Sequence, residues 1–373
     1  MRVLHVLNTF GLGGAERNVL DLVEGQTPAH DVAVAYLKRT PGADRYHEHL
    51  SAAGARVFAL DDSRRLPLKA VRRLSLICRD WQPDVVHSHL PRADLASAIA
   101  TWARMLSPAP IRVSTIHNDE ELFSRPGYRQ LFSATYRSFD RIIAISGPIT
   151  STLERLLRVD PKRVVFIPYG IKPETMPNRG VLRAELGLQD RAALIGTFAR
   201  LAPQKNLDVL LRAVAMLPEH VHCVVLGADQ GEGPRLRELT RELGLQDRVT
   251  FLGYRPDARQ LLADFDVYCL PSRWEGLPVS LLETALAGVP FVGSAISSIE
   301  QVVTDGKTGI LVPVDRPDLL ADAIRSVLHD LQAAISRADA LRDHVLAHYG
   351  LAQMQQRTNA VYEAAMRHAP EAG

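Results

Sequence analysis

The sequence predicts an α/β protein: two doubly wound parallel-sheet domains facing each other across a cleft, followed by C-terminal helices. Three observations carry this. Short apolar runs alternate with amphipathic stretches of roughly ten to sixteen residues, the rhythm of strand, crossover helix and parallel strand. The rhythm breaks once, at a Pro- and Gly-containing segment, and then restarts. The length of 373 residues suits two domains at about 150 residues each, with helices to spare.

The elements follow in order. Strand candidates in the first half are Val3–Leu7, Val32–Leu37, Arg56–Leu60, Val85–His87, Arg112–Ile116, Arg141–Ile145 and Val164–Ile167. Each is a short apolar run of the kind a sheet buried on both faces requires. After Pro168-Tyr169-Gly170 come Pro173, Pro177 and Gly180, so residues 171–180 read as the linker and residues 1–170 as the first domain. The second domain, residues 181–348, has strand candidates at Leu194–Phe198, Val221–Leu226, Val249–Leu252, Val267–Leu270, Phe291–Val292 and Ile310–Val312. From Arg316 onward there is no strand signal, and residues 349–373 read as a helix able to cross back to the first domain.

Composition narrows the class. Hydrophobic residues make up 46% and charged residues 23%, enough for real cores and too apolar for disorder. No run approaches the ~18 apolar residues of a membrane span. Met1–Leu7 is too short for a signal peptide, and Cys78, Cys223 and Cys269 are too few and scattered for a disulfide framework, so a cytosolic protein is expected. The net charge of +2 conceals an asymmetry. Residues 1–175 carry 24 Lys and Arg against 18 Asp and Glu, and the remainder 20 against 24. The first half is expected to face something anionic, with too small a surplus for nucleic acid.

Four places carry chemistry. Gly11-Leu12-Gly13-Gly14-Ala15-Glu16-Arg17 follows the first strand and opens a helix, which suits a phosphate on backbone amides. It is not a dinucleotide fingerprint, because Glu16 takes the third glycine position. His87-Ser88-His89 and His117 end the fourth and fifth strands, at the carboxyl edge where ligands bind such sheets. Three histidines suit zinc, but no carboxylate or cysteine completes a metal pattern; His87 and His89 read better as a buried, hydrogen-bonded pair, and His117 as the functional one. Arg200 and Lys205 flank the end of the second domain's first strand, a fork and a point charge suited to a diphosphate. In the run Pro271 to Glu283, Glu275 lies in a loop before a helix beginning near Pro278, and Glu283 lies about 7.5 Å further along its axis. The free amides near Leu277–Ser280 point to the same space, and carboxylates accept well from sugar hydroxyls. Asp264-Phe265-Asp266 looks like a metal motif, but it precedes its strand, at the wrong end for the cleft.

As a set these pieces resemble the retaining glycosyltransferases of family 4, which have the GT-B fold of two Rossmann-like domains. The resemblance runs from about Arg2 to Tyr349. It rests on Gly13-Gly14-Ala15-Glu16-Arg17, His87-Ser88-His89, Thr115-Ile116-His117, Ile145-Ser146 and Ile167-Pro168-Tyr169-Gly170. It continues through Gly196 to Lys205, Val249-Thr250-Phe251-Leu252-Gly253, Pro271-Ser272, the Glu275-x7-Glu283 pair, Gly288-Val289-Pro290 and Asp305-Gly306-Lys307-Thr308-Gly309. Ala199, Thr284, Ser297-Ser298-Ile299-Glu300 and the long loop Leu226–Pro234 depart from the family pattern.

The resemblance implies a hexosyl transfer from a nucleotide-diphosphate sugar, with uridine the expected base, to a lipid-linked or saccharide acceptor in envelope or exopolysaccharide synthesis, lipopolysaccharide included. It implies that Gly13, Gly14, Arg200, Lys205, Gly276 and Leu277 hold the diphosphate. Glu275 and His117 would meet the transferred sugar, as the catalytic pair; Glu283 would bind the ribose, and Tyr254 and Arg255 would lie by the base. It implies retention of anomeric configuration by front-face attack, with no metal and no cofactor. The rivals are a sugar-nucleotide epimerase of the same fold and a non-catalytic nucleotide-sugar binding protein.

Residues 64–79 hold six cations and no acid. On a helical wheel Arg65, Lys69, Arg72, Arg73 and Arg79 share one face, and Leu66, Ala70, Leu74 and Ile77 another. This helix is expected either to dock on an anionic inner-membrane surface, making the protein cytoplasmic and peripheral, or to pack as an ordinary helix with a solvated face.

Overall fold

A computed structural model describes residues 1–9, 14–40, 43–62, 68–102, 109–118, 123, 125–173, 179–189 and 191–367. The chain forms two compact units, residues 1–170 with 351–373, and residues 171–350.

The first unit holds seven parallel strands: β1 Arg2–Thr9, β2 Asp31–Lys38, β3 Arg56–Ala59, β4 Val85–His89, β5 Ile111–Ile116, β6 Arg141–Ala144 and β7 Val164–Phe166, in the order β3-β2-β1-β4-β5-β6-β7. The strands are apolar throughout because helices cover both faces. Leu4 and Val6 point into one core with Ala70, Leu74 and Ala93. Val3 points into the opposite one, with Val85, Val113 and Leu22. β4 runs two residues beyond the expected Val85–His87, because its register with β1 continues through the pair Leu7 and His89.

The second core of this unit is completed from the far end of the chain. Met354, Val361, Tyr362 and Ala365 of helix Leu351–Arg367 pack with Val3, Ile111, Ile143 and Ile167. Gln355 donates to the Asp21 carbonyl at 2.7 Å, and Arg357 to the Phe166 carbonyl at 2.6 Å.

The second unit holds six parallel strands: β8 Ala193–Phe198, β9 Val221–Leu226, β10 Val249–Gly253, β11 Val267–Leu270, β12 Phe291–Ser294 and β13 Ile310–Val312, in the order β10-β9-β8-β11-β12-β13. Its core joins Ile195, Cys223, Val225, Val267 and Cys269 to helices Leu207–Ala215 and Pro317–His329. All three cysteines are free and buried, and burial pushes the Cys78 and Cys223 thiols up to about 12, so neither is a nucleophile. Asp264 and Asp266 serve this unit's framework. Asp264 accepts from the Gly180 and Leu182 amides, starting helix Val181–Glu185, and Asp266 pairs with Arg179 and Arg183. Gly227 is required by close approach: a Cβ there would stand 2.0 Å from the Ala199 carbonyl oxygen.

In each sheet the strand order reverses once, between β1 and β4 and between β8 and β11. At such a switch point the loops leaving adjacent strands diverge and open a crevice at the carboxyl edge. Gly14, His89, Arg200 and Glu275 all follow or end one of these four strands.

Removing residues 351–373 strips the large buried side chains Met354, Val361 and Tyr362 from the first unit, worth about 1.5–3 kcal/mol each. That is most of an ordinary domain's stability. The truncated chain is expected to lose the first unit's protease resistance while residues 171–350 keep theirs, measured by limited proteolysis and mass spectrometry.

Candidate functional site

In the second unit the site is assembled from two loops at the β8–β11 switch point. After β8, Arg200 stands exposed, its Nη1 3.1 Å from Gln230 Oε1. The turn Pro203–Lys205 then ends in Asn206 with φ 54°, a left-handed conformation that asparagine tolerates. Asn206 Nδ2 donates to the Pro271 carbonyl at 3.0 Å, tying this turn to the loop after β11. Gln204 adds a bond to the Trp274 carbonyl at 2.8 Å, and Arg273 donates to the Pro203 carbonyl at 2.9 Å.

The knitted loops bring together Lys205 and Glu275, which stand 70 residues apart in sequence. Lys205 Nζ lies 2.6 Å from Glu275 Oε1, and both side chains are largely buried. Ser272 Oγ donates to the same oxygen at 2.6 Å. Glu275 Oε2 has a single long contact among the described residues, with Gln204 Nε2 at 3.5 Å. One oxygen is thus fixed by a cation and a hydroxyl, and the other remains an acceptor. Removing either partner would leave an uncompensated charge in a nearly dry place.

Gly276 and Leu277 are buried just beyond, and helix Val279–Leu286 begins after Pro278, one residue later than the earliest expected start. No side chain caps this helix, so its first amides keep their positive character toward the loop. Glu283 is half-buried on that helix. Tyr254 follows β10 and is 47% exposed. Arg255 is already engaged: its guanidinium bonds Glu185 at 2.7 Å and Asp257 through two contacts at 2.7 and 2.8 Å. Of that pair, Tyr254 alone presents an open surface. The long loop after β9 is an ordered turn, with Asp229 accepting from the Gly231 and Gly233 amides.

In the first unit Gly14 begins helix Gly14–Gln26, and Gly13 lies outside the described residues. Glu16 turns back to accept from Thr9 at 3.1 Å. His117 is buried, one residue beyond β5. Its Nδ1 meets Tyr169 Oη at 2.5 Å and its Nε2 meets His89 Nδ1 at 3.0 Å. His89 continues to His5 at 3.1 Å, and His5 to Gln26 Oε1 at 2.8 Å. Desolvation holds His117 down to about 3 and His5 to about 4, and it lowers His87 and His89 strongly. These imidazoles are neutral, and His117 does not titrate as an acid or base near neutral pH.

His5, Gln26 and Tyr362 escape a reading of the sequence by motif, and Tyr169 stands in the Ile167–Gly170 piece without a role assigned to it. The one signal for His5 is its place in the middle of an apolar strand. The motif reading weighs zinc for His87, His89 and His117. The three that converge are His5, His87 and His89, whose donor atoms lie within 4.8 Å. Each of their ring nitrogens already has a protein partner, and no carboxylate joins them, so the set fits a hydrogen-bonded cluster better than an ion. Nearby, Asp94 accepts from Ser88, Ser114 and Tyr136 at 2.6–3.0 Å, and burial pushes its carboxyl up to about 7.

Arg65 lies outside the described residues. On helix Leu68–Trp81, Lys69 donates to the Asp61 carbonyl and Arg73 to the Leu60 carbonyl, so these two are turned toward the end of β3. Leu68, Arg72 and Leu76 form the outward row, with Leu68 65% and Leu76 40% exposed. Among the described residues no helix is long and apolar enough to cross a membrane.

Two family models match: glycosyl transferases group 1 over residues 178–341 and glycosyltransferase family 4 over residues 12–175. Two D-inositol 3-phosphate glycosyltransferases are 31% identical. That of Mycobacteroides abscessus aligns over 57% of this chain and 52% of its own length, and that of Stackebrandtia nassauensis over 70% and 64%. The chain thus spans about half to two thirds of these relatives. The UDP-Gal:alpha-D-GlcNAc-diphosphoundecaprenol alpha-1,3-galactosyltransferase of Escherichia coli is 26% identical over 70% of this chain and 71% of its own. Among solved structures, Anabaena Alr3699/HepE in complex with UDP and glucose superimposes with a TM-score of 0.86 at 21% identity, covering 98% of this chain and all of that one. WaaG, a glycosyltransferase involved in lipopolysaccharide biosynthesis, gives 0.76 at 17%, covering 96% and 99%. Both share the GT-B architecture of the two sheets described above.

The four buried histidines dictate how stability depends on pH. Their folded-state values lie below the unfolded value of about 6.5, so below that pH the unfolded chain takes up protons that the folded chain refuses. Stability is full above pH 6.5 and is lost as pH falls toward 4, at up to about 1.4 kcal/mol per unit for each histidine. Asp94, shifted upward, offsets one such share. A steep fall in Tm is expected as pH drops from about 6.5 to 5. A Tm that stays level from pH 7 to 5 contradicts four neutral buried imidazoles.

Proposed function

The chain belongs to the family 4 glycosyltransferases, and we propose that it transfers a hexosyl group with retention from a nucleotide-diphosphate sugar to a lipid-linked or saccharide acceptor. The observation that carries this reading is the Lys205–Glu275 pair at the β8–β11 switch point, with Arg200 in the same loop after β8. UDP is the nucleotide we propose, in keeping with the ligand of the Anabaena structure and the donor named for the Escherichia coli relative.

The chemistry follows from the donors. A departing nucleoside diphosphate gains negative charge as the glycosidic bond lengthens. Arg200, Lys205 and the amides of Gly276, Leu277 and the following helix turn supply positive charge there, so the reading needs no metal or cofactor. One such preorganised donor is worth about 3–4 kcal/mol of barrier. Lys205 has three N–H bonds, enough to keep Glu275 and also meet a phosphate oxygen. Glu275 acts as an acceptor for sugar hydroxyls through Oε2, while Oε1 stays with Lys205 and Ser272. Glu283 is assigned to the ribose and Tyr254 to the base. His117 serves by position, since both ring nitrogens are engaged within the protein. Gly13 and Gly14 are assigned to the diphosphate on the family pattern.

The acceptor side favours a surface. Leu68, Arg72 and Leu76 give helix Leu68–Trp81 an outward row of apolar and basic groups, which suits the anionic inner leaflet at about 1 kcal/mol per cation. We place the protein in the cytoplasm, peripheral to that leaflet. Arg72→Glu combined with Leu76→Asp is expected to lower sedimentation with phosphatidylglycerol vesicles at least tenfold, and unchanged sedimentation refutes the docking row.

Thermal shifts with UDP, GDP, ADP and dTDP test the donor. At 100 times its Kd the true nucleotide stabilises by about 2.7 kcal/mol, and Arg200→Ala is expected to abolish the shift. Glu275→Gln is expected to keep the nucleotide shift and to lower sugar transfer at least 100-fold. Nucleotide binding without transfer in the wild-type chain, across a panel of donors and acceptors, supports a binding protein instead.

A further inference from the structure

We infer that Gln26 sets the proton positions on all four buried histidines of the first unit, fixing each as the Nε2–H tautomer and making His117 Nδ1 a permanent acceptor for Tyr169. Gln26 is fully buried at the end of helix Gly14–Gln26. Its amide is held by three partners. Oε1 faces His5 Nε2 at 2.8 Å, and Nε2 faces Asn359 Oδ1 at 3.0 Å and Tyr362 Oη at 3.5 Å. An amide nitrogen only donates, and an amide oxygen only accepts. With acceptors on its nitrogen side, the oxygen side is assigned to His5.

The rest follows one proton at a time. His5 must donate from Nε2, so its Nδ1 is bare. His89 then donates Nε2–H to His5 Nδ1, which leaves His89 Nδ1 bare. His117 donates Nε2–H to His89 Nδ1, and its own Nδ1 receives the Tyr169 hydroxyl proton. The second branch starts at the Gln26 nitrogen. Tyr362 accepts from it and donates onward to His87 Nδ1 at 2.6 Å, so His87 Nε2–H goes to Thr115 at 2.7 Å. Both branches require neutral rings, because a doubly protonated imidazole has no lone pair to accept with. Complete burial of all four rings favours that state.

The two branches form because a parallel register stacks the rings on one face. His5 is paired with His87, and Leu7 with His89, so positions 5, 87, 89, 115 and 117 point the same way. Helices Gly14–Gln26 and Leu351–Arg367 cover that face and supply Gln26, Asn359 and Tyr362. Gln26 is therefore a positioning residue, acting on His117 through two other imidazoles. The proton assignment stands on this geometry alone. Only its bearing on the transferred sugar rests on the function proposed above.

Histidine tautomers are read directly from long-range 1H–15N spectra of 15N-histidine-labelled protein, with His117 identified by its absence in His117→Asn. In the wild type, four histidines are expected to show the Nε2–H pattern unchanged from about pH 8 to 5.5. Gln26→Met removes the anchoring oxygen, and the His117 signals are expected to shift toward a mixture of tautomers. Gln26→Glu restores an acceptor toward His5, and the Nε2–H pattern of His117 is expected to return. An Nδ1–H pattern at any of the four in the wild type overturns the inference, and so does a His117 pattern indifferent to Gln26→Met. Zinc-induced shifts at His5, His87 and His89 overturn it in favour of a metal site. The wild-type spectrum decides even if a variant fails to fold, and none of these readouts depends on transfer activity.

Discussion

In a parallel sheet every strand delivers its loop to the same edge, and adjacent loops are forced apart only where the strand order reverses. Each unit here has one such reversal. The polar side chains that matter are gathered by it rather than by nearness in sequence. Lys205 and Glu275 meet because β8 and β11 are neighbours, and His5 and His87 meet because β1 and β4 are. Everything else in the fold, from the apolar strands to the helices on both faces, serves to hold those two pairs of strands side by side.

The two switch points solve burial in opposite ways. In the second unit a carboxylate is held in a nearly dry loop by a lysine and a serine hydroxyl on one oxygen, leaving the other for a ligand. In the first unit polarity is buried without charge, as four neutral rings whose donors and acceptors are matched internally. The first arrangement is poised to answer an incoming charge. The second holds shape, since changing any one proton would leave a neighbour with two donors or two acceptors.

Much of this architecture is legible in the amino-acid sequence. The alternation of apolar runs and amphipathic stretches locates all thirteen strands to within a few residues, because strands buried on both faces must be apolar. Arg200, Lys205, Glu275 and Glu283 stand out as charged residues at strand ends and a helix start. His5 and Gln26 do not, because their partners depend on register and strand order, which no local pattern encodes. Arg255 looks available in sequence and is engaged by Glu185 and Asp257, the first of these a contact made across 70 residues. Lys69 and Arg73 belong on a wheel to a basic face and remain exposed, but both bend toward carbonyls at the end of β3, which a wheel does not show. The Asp264-Phe265-Asp266 motif stands before its strand rather than after it, and the structure gives it a task in capping and pairing.

The return of helix Leu351–Arg367 to the first unit has a consequence for how the protein is born. A ribosome delivers the chain from its N-terminus, and domains generally fold as their residues emerge. Here the seven strands of the first unit appear before residues 171–350 but lack Met354, Val361 and Tyr362 until helix Leu351–Arg367 emerges. Residues 171–350 are complete before that last helix exists. Of the two units the first is therefore the later to finish folding, and until then the hydrophobic face around Val3, Val85 and Ile143 waits uncovered, a natural client for a chaperone.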